Sequence, residues 1–311
     1  MLTTVRESPL QARYAPRGPL DLRVTVGSLQ RGPGDPTQAL AGGVIWRAVR
    51  TPDGVATLAL SQLADGSVRT AAWGPGRERA IAQVPALCGA GDDVDEFDAS
   101  HHPLIAEAHR RHPGLRLTRT DAPFEALAQA VIEQKVTVRQ AFGAWRRLVA
   151  GFGERAPGPS PRALFAPPPA EAWRRIPSWA WHRAGLEPPQ ARTLVRAAAR
   201  GASLERALAT APSGDARGAV LTSLPGVGPW TAAETRIRAF GDPDAVSVGD
   251  FHLAHHVGSA LAGSRTDDDG MLALLEPWRG QRQRVIRLIL AAGVVEPRRG
   301  PRLHVEDHRA R

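Results

Sequence analysis

The chain has 311 residues, of which 42% are hydrophobic and 23% charged, a composition typical of a soluble globular protein with two or three compact units. No apolar run approaches the roughly 20 residues that a membrane helix needs, and the N-terminus lacks the apolar segment of a secretory signal, so we expect a cytoplasmic protein. The formal net charge of +9 favours a polyanionic partner.

Cysteine and lysine each occur only once. Cys88 is the single cysteine, which excludes a disulfide framework, a four-cysteine iron–sulfur cluster and a CxxC zinc site; we expect an inert thiol. Lys135 is the single lysine, so the positive charge is almost all arginine, which binds phosphate through two donors and stacks on bases. A GC-rich genome also favours arginine, so charge alone leaves the partner open.

The N-terminal part of the chain predicts an antiparallel sheet with some helix. Leu20, Leu22, Val24 and Val26 alternate with polar residues, the period of a half-buried strand. Short apolar runs separated by turn sequences then predict a meander. Further strands are predicted at residues 44–49, 55–63 and 68–73, with a short helix at residues 77–87.

The second part of the chain has helical periodicity. Phe124, Leu127 and Val131 recur at helical spacing. The proline-rich residues 156–169 predict a linker or surface loop, and the charged residues 297–311 predict a disordered tail. Further helices are predicted at residues 189–200, 204–210, 215–223, 230–240, 267–275 and 281–291.

Residues 221–258 contain the pattern that is most informative about function. Gly226 and Gly228 lie in a Leu-Pro-Gly-Val-Gly-Pro sequence between two predicted helices, and glycine permits a sharp turn with positive φ. The amides of such a hairpin and the N-terminus of the next helix can bind one DNA phosphate without reading the base sequence. We therefore predict a helix-hairpin-helix over about residues 215–240.

Asp250 follows the hairpin and precedes another helical run. Breaking a base–sugar bond builds positive charge on the sugar, and a fixed carboxylate stabilises that charge or activates water. The alternative is that Asp250 only caps the next helix, which aspartate often does. The position of Asp250 after a hairpin favours the catalytic assignment.

The hairpin and Asp250 together resemble the signature of the helix-hairpin-helix, Gly/Pro-rich loop and aspartate (HhH-GPD) superfamily of DNA glycosylases. Within it, the chain is most similar to the bacterial 3-methyladenine DNA glycosylase II group. The resemblance extends over nearly the whole chain. Supporting segments lie at residues 113–117, 132–137 and 277–279.

The resemblance implies an α+β fold with two domains. Residues 1–118 would form an antiparallel sheet domain with helices, and residues 119–296 a mainly α-helical, two-lobed HhH-GPD glycosylase domain. A damaged nucleotide of double-stranded DNA would be flipped into the groove between the lobes. The expected protein is a nucleoid-associated monomer that contacts no membrane, requires no cofactor and holds no iron–sulfur cluster.

The expected activity is that of a monofunctional glycosylase. Members of the superfamily that also cut the strand carry a lysine shortly after the hairpin, and here the only lysine is Lys135, so amine catalysis is not expected. The enzyme would excise alkylated purines of the 3-methyladenine type in base excision repair. The alternatives are a non-catalytic helix-hairpin-helix DNA-binding protein and a glycosylase for deaminated or oxidised purines.

By the same resemblance, Trp230 and Trp278 would line the base pocket, where indole faces attract a cationic purine; the alternative for both is packing in the core. Glu234 stands where the similar enzymes have a pocket tyrosine. Its side chain could hydrogen-bond a base, hold a positively charged lesion or face solvent.

The DNA contacts are expected from the hairpin and from the loop near Lys135. Lys135 stands where an apolar wedge usually fills the gap that the flipped nucleotide leaves, and the wedge could also be its neighbour Gln134 or Val136. The residues predicted to contact DNA are Gly226, Val227, Gly228, Thr231, Gln134 and Lys135.

Two further features concern metal ions. The resemblance implies that the hairpin carbonyls of Thr222, Leu224 and Val227 could hold a structural monovalent cation. The spacing of three histidines after Asp250 would allow a metal site, but Asp250 is already assigned to catalysis, so we expect imidazoles that pack along a helix beside the groove. These histidines are His252, His255 and His256.

Overall fold

The computed structural model of the protein describes residues 8–294. The tail predicted at residues 297–311 lies outside the described residues. Within the described part, an antiparallel sheet is followed by a mainly helical region, so the α+β fold class expected from the sequence is confirmed.

Five strands of the N-terminal part form one antiparallel sheet. They are β1 (Leu10–Tyr14), β2 (Gln38–Ala41), β3 (Val44–Thr51), β4 (Gly54–Gln62) and β5 (Val68–Trp73). Their order is β1-β5-β4-β3-β2, so strands consecutive in the chain pair from β2 to β5, and β1 pairs with the free edge of β5. The three strands predicted beyond residue 40 are confirmed, whereas β1 and β2 were not predicted.

Helices make up most of the remaining structure, and each helix predicted beyond residue 188 is confirmed to within a few residues. The strands β6 (Glu154–Arg155) and β7 (Phe165–Ala166) form a two-stranded ribbon, in which β6 directly precedes the linker predicted at residues 156–169 and β7 lies within it. The helices are α1 (Leu22–Thr25), α2 (Arg77–Ala82), α3 (Val84–Leu87), α4 (Pro103–Arg111), α5 (Pro123–Ile132), α6 (Val138–Phe152), α7 (Ala170–Arg174), α8 (Ser178–Ala184), α9 (Pro188–Ala199), α10 (Gly201–Thr210), α11 (Gly214–Thr222), α12 (Pro229–Phe240), α13 (Leu253–Leu261), α14 (Asp268–Leu275) and α15 (Arg282–Ala291).

The strand predicted at residues 20–26 is wrong. The side chain of Asp21 accepts hydrogen bonds from the backbone N–H groups of Arg23 and Val24, both at 2.9 Å, and so begins α1. Leu22 and Val26 are both buried. Residues four apart lie on one face of a helix as well as on one face of a strand, so this short alternation did not distinguish the two.

Three large hydrophobic cores organise the fold, and a small fourth cluster joins Ala48 of the sheet to Ala166 of β7. The first lies between the sheet and α2–α3 and includes Leu58, Val68 and Leu87. The second is built by α5–α12, which we call the first lobe, around Trp145 and Trp173.

The third core joins α4 to α13–α15, which we call the second lobe. Ile105 and Leu115 pack there with Val257 and Ile289. The two lobes therefore match the two-lobed helical region that was expected, and α4 packs with helices from the other end of the chain. The domain division at residue 118 stays a prediction.

Among the described residues, none of the helices combines the length and the apolar composition that crossing a bilayer requires.

Candidate active site between the two helical lobes

The predicted helix-hairpin-helix is present as α11, a tight turn and α12. Gly226 has φ +92°, and a Cβ at this position would lie 2.1 Å from the Thr193 hydroxyl oxygen on α9, so both the backbone conformation and the packing require glycine. Gly228 has φ −95°, which corrects the expectation that both glycines adopt positive φ. No other atom of the described residues lies within 4 Å of a Cβ built on Gly228, so this position is open to solvent.

Two of the residues predicted to contact DNA have side chains that are buried in the protein. Val227 is 6% exposed and packs in the core of the first lobe. Thr231 is 2% exposed, and its hydroxyl oxygen accepts a hydrogen bond from Gln134. The side chains of Val227 and Thr231 therefore hold the hairpin in place, and only backbone groups here remain available to DNA.

The loop between α5 and α6 is hydrogen-bonded to the hairpin. The Gln134 side-chain amide donates to the Gly226 carbonyl at 2.9 Å and to the Thr231 hydroxyl at 2.8 Å. On the other side, the Gln190 amide donates to the Gln134 carbonyl at 2.9 Å. Lys135 is exposed with φ +53°, an uncommon conformation for a residue with a Cβ. Gln134 thus binds the hairpin, and Lys135 is the residue of this loop that projects into solvent.

Asp250 is fixed by hydrogen bonds to both of its carboxylate oxygens. Oδ1 accepts from the backbone N–H groups of His252 at 2.9 Å and Leu253 at 3.0 Å, at the start of α13. Oδ2 accepts from the Trp230 indole N–H at 3.0 Å. Trp230 lies in the first turn of α12, so the carboxylate is held between the hairpin helix and the helix that follows.

Asp250 lines a cavity of about 280 Å³ where the two lobes meet the end of the sheet region. This volume is close to the lower limit, roughly 300 Å³, of small-molecule sites. Most of the lining residues are polar or charged, and they come from the segment between β1 and β2, from residues 116–118, from α12, α13 and α15, and from residues 241–250. Lining residues used below are Arg31, Arg116, Glu234, Arg238, Asp242, Ser247, Asp250, His256, Gln283 and Arg287.

Glu234 belongs to a network of partly buried charges at this cavity. Its Oε1 accepts a hydrogen bond from the Ser247 hydroxyl, and its Oε2 lies 2.7 Å from the Arg238 guanidinium. Arg238 also donates to Glu133 at 2.8 Å, and Glu133 lies 3.3 Å from Arg31. The Glu234 side chain is 18% exposed, so of the three possibilities raised by the sequence, a side chain that faces bulk solvent is wrong.

This environment disfavours the charged form of Glu234. Burial, and then the negative charge of Glu133, raise the pKa of Glu234 to about 7, against the lowering effect of the Ser247 hydrogen bond. Burial also raises the pKa of Glu133, against the charge of Arg31. Glu234, which lines the cavity, and its neighbour Glu133 are therefore carboxyl groups whose charge is costly to maintain without a positively charged partner.

Neither Trp278 nor Trp230 is among the described residues that line the cavity. Trp278 lies elsewhere in the fold. It is 5% exposed in the core of the second lobe, its indole N–H donates to the Asp98 carbonyl at 2.8 Å, and its ring meets His101 edge to face. The core-packing alternative raised for Trp278 is therefore the correct one, whereas Trp230 contacts the candidate catalytic carboxylate.

The three histidines after Asp250 have separate contacts. The Nδ1 atom of His255 lies 2.9 Å from the Thr266 carbonyl oxygen, and the His252 ring meets Phe251 edge to face and lies 5.9 Å from the His256 ring. Across residues 8–294, no group of three or more His, Cys, Asp or Glu side chains is arranged to hold a metal ion.

Four residues at or near the site were not predicted. Arg31 and Arg238 contact Glu133 from about a hundred residues away in the chain, which no sequence motif marks. The contacts of Glu234 are closer in sequence, since Arg238 lies one helical turn after it and Ser247 follows α12. Phe251 is 75% exposed directly beside Asp250. The sequence shows only that a phenylalanine follows Asp250, and its exposure is visible in the structure alone.

Comparison with known proteins places this site in a known fold. No protein-family model matches the chain. A probable bifunctional transcriptional activator/DNA repair enzyme AlkA of Mycobacterium tuberculosis is 33% identical over 144 residues, which are 45% of this chain and 28% of that protein. The match thus spans little more than a quarter of the relative's length.

Two solved structures agree with this fold over almost their whole length. A 3-methyladenine DNA-glycosylase from Archaeoglobus fulgidus has a TM-score of 0.76 at 16% identity, covering 91% of this chain and 98% of that one. An 8-oxoguanine glycosylase/lyase from Clostridium acetobutylicum, in complex with double-stranded DNA, has a TM-score of 0.71 at 14% identity, covering 92% and 94%. The chain has the fold of the helix-hairpin-helix DNA glycosylases, and the resemblance indicated by its sequence is confirmed.

Proposed function

We propose that this protein is a DNA glycosylase that releases alkylated purines, of the 3-methyladenine type, by hydrolysis of the N-glycosidic bond in damaged double-stranded DNA. The observation that carries the proposal is the geometry of Asp250. Its carboxylate lines a cavity and is fixed by three hydrogen-bond donors, and the hairpin helix supplies one of them. The description of the mycobacterial relative as a DNA repair enzyme supports the same assignment.

In this proposal the hairpin and Asp250 perform separate tasks. The exposed backbone around Gly228, at the N-terminus of α12, binds a phosphate and sets the position of the duplex. The damaged nucleotide is rotated out of the stack and its base enters the cavity. As the base departs, positive charge develops on the sugar, and the preorganised carboxylate of Asp250 stabilises that charge or activates water.

Strand cleavage is not part of the proposal. Forming a Schiff base with the sugar requires an amine nucleophile, and the only lysine, Lys135, lies in the exposed loop after α5. The product would be an abasic site in an intact strand.

The monovalent cation implied by the family also fits the hairpin. Thr222 is the last residue of α11, so its carbonyl is one of the four at a helix end that lack an intrahelical partner. The Leu224 carbonyl already accepts from the Val227 N–H at 3.0 Å and has a second lone pair free. Together with the carbonyl of Val227, these groups would hold a cation that reinforces the turn and adds positive charge near the phosphate.

A second candidate is a glycosylase for neutral deaminated or oxidised purines. The cavity lining favours it, since the described residues that form the lining include no tryptophan and four arginines. Arginine donors suit the carbonyl oxygens of such bases. The 8-oxoguanine glycosylase/lyase of Clostridium acetobutylicum has the same fold, which by itself does not decide the substrate.

The test is a base-release assay on duplex DNA that contains methylated purines, hypoxanthine or 8-oxoguanine. We expect free methylated purine, with strand breaks appearing only after hot alkali, and no covalent protein–DNA adduct on borohydride treatment. Release of only hypoxanthine or 8-oxoguanine would favour the second candidate. Tight binding without release of any base would favour a non-catalytic DNA-binding protein.

A further inference from the structure

We propose that Glu234 is the residue by which the cavity selects a positively charged purine over a neutral one. This inference rests on the proposed glycosylase function and names a specificity determinant within it. Glu234 lines the same cavity as Asp250, and it stands on α12, the helix that also carries Trp230. A base that enters beside Asp250 would therefore meet the Glu234 carboxyl group.

The Glu234 carboxylate can still accept a hydrogen bond from a base. A carboxylate has about four acceptor positions, and here Ser247 occupies one on Oε1 and Arg238 one on Oε2. The side chain keeps an 18% exposed fraction in a cavity-lining position. An N–H group of a cationic purine that reached these oxygens would form a charge-assisted hydrogen bond, which is stronger than its neutral counterpart.

The positive charges next to Glu234 do not neutralise the carboxyl groups of its network. Arg238 is shared between Glu234 and Glu133, and Arg31 pairs with Glu133. With Asp250, which also raises the pKa of Glu234, three carboxyl groups face two guanidinium groups.

Two more guanidinium groups line the cavity and keep their positive charge: Arg116 donates to the Pro19 carbonyl and Arg287 to the Val24 carbonyl. The charges that act on the pKa of Glu234 are those of Glu133, Arg31 and Asp250. Asp242 pairs with Arg236 at 2.8 Å, and His256 lies beside the His252 ring. A positively charged base would supply the charge that the Glu234 group lacks, whereas a neutral base would leave a costly buried carboxylate or require its protonation.

The experiment compares kcat/KM for release of 3-methyladenine, whose purine is positively charged while it is bonded to the sugar, with that for hypoxanthine, which is neutral. In the wild type, the ratio should rise as the pH rises through about 7, because the Glu234 carboxyl group loses its proton there. In Glu234→Gln the pH step should disappear, and the ratio should fall about tenfold or more, the effect of a lost hydrogen bond to a charged group. Asp269→Asn, an exposed carboxylate on α14, is the matched control.

Ser247→Ala provides a second test that keeps the Glu234 charge. Because the Ser247 hydrogen bond lowers the pKa of Glu234, its removal should move the pH step to a higher pH. This result decides the question if Glu234→Gln fails to fold. If Glu234→Gln lowered kcat/KM equally for both bases, or if Ser247→Ala left the pH step in place, the inference about Glu234 would be overturned while the proposed glycosylase function would stand. A wild type that releases neither base would contradict the proposed function and the inference with it.

Discussion

At the scale of the residue, Asp250 has two roles that the sequence presented as alternatives. One carboxylate oxygen caps α13 and the other binds the Trp230 indole. Capping leaves the carboxylate able to accept further hydrogen bonds, because each oxygen has two lone pairs. The cap instead fixes the orientation that a transition-state interaction requires.

Trp230 was expected to contact the base, but its indole N–H donates a hydrogen bond to the Asp250 carboxylate. In Trp230→Phe we expect a single-turnover rate of base release about 10- to 100-fold lower, because a hydrogen bond to a charged group is lost, with DNA affinity nearly unchanged. Trp278→Phe is the matched control. It removes the bond to the Asp98 carbonyl but lies in the core of the second lobe, so the rate should change less than in Trp230→Phe. Equal losses in both variants would contradict this assignment.

The candidate site could be predicted only in part. Asp250, Trp230 and Glu234 lie in one segment whose pattern the sequence displays. Arg31 reaches Glu133 across about a hundred residues of chain, and such a contact depends on how the sheet region packs against the first lobe. Trp278 was misassigned because a sequence shows that a side chain is large and aromatic but not which side of its helix is covered.

At the scale of the element, the two glycines of the hairpin have different reasons to be glycine. Gly226 adopts a left-handed conformation against Thr193, whereas Gly228 has φ −95° and open space around its Cα. The two glycines were predicted to have the same conformation, because a Gly-x-Gly pattern does not reveal φ. Packing explains Gly226, and the approach of a phosphate from outside the protein explains Gly228.

Gly226→Ala and Gly228→Ala should therefore have different effects. We expect Gly226→Ala to lower the free energy of unfolding by about 1–3 kcal/mol through backbone strain and the contact with Thr193. Gly228→Ala should change it by less than about 0.5 kcal/mol but weaken binding of duplex DNA about tenfold. Urea denaturation and a fluorescence-anisotropy titration measure the two quantities. Wild-type DNA affinity in a folded Gly228→Ala variant would argue against phosphate binding at this turn.

The helices and strands also differ in how well the sequence predicts them. The helices α9, α12 and α15 were predicted because their apolar period repeats several times, whereas α4 and α6 were not predicted although both are longer than two turns. The segment at residues 20–26 was wrong because a single turn is too short to separate the two periods. The strands β1 and β2 were missed because mostly exposed or small residues form them.

At the scale of the whole molecule, the cavity lies where three separately packed units meet. Leu29 and Arg31 come from the sheet region, Glu234 from the first lobe and Gln283 from the second. Each core can be inferred from hydrophobic periodicity, but their relative arrangement cannot, and the charges of the cavity result from that arrangement.

The stability of the whole molecule should reflect the buried Glu234. Its pKa is raised from 4.5 to about 7 in the folded state, so its contribution is fully present below about pH 4.5 and is lost as the pH rises through about 7. Between these pH values, the wild type should lose on the order of 3 kcal/mol relative to Glu234→Gln. Comparing the two proteins cancels other groups, such as His109, whose pKa is lowered by burial. Thermal unfolding of both across this pH range measures the difference, and parallel curves would contradict it.

The most direct test of the central claim is the single-turnover rate of base release from methylated duplex DNA by Asp250→Asn, with Asp269→Asn as the control. Asparagine keeps the size of the side chain and an oxygen for the α13 cap but loses the negative charge. We expect Asp250→Asn to bind DNA as tightly as the wild type while its release rate falls by a factor of about 100 or more, with Asp269→Asn unaffected. Base release by Asp250→Asn at the wild-type rate would contradict the assignment of Asp250 as the catalytic carboxylate.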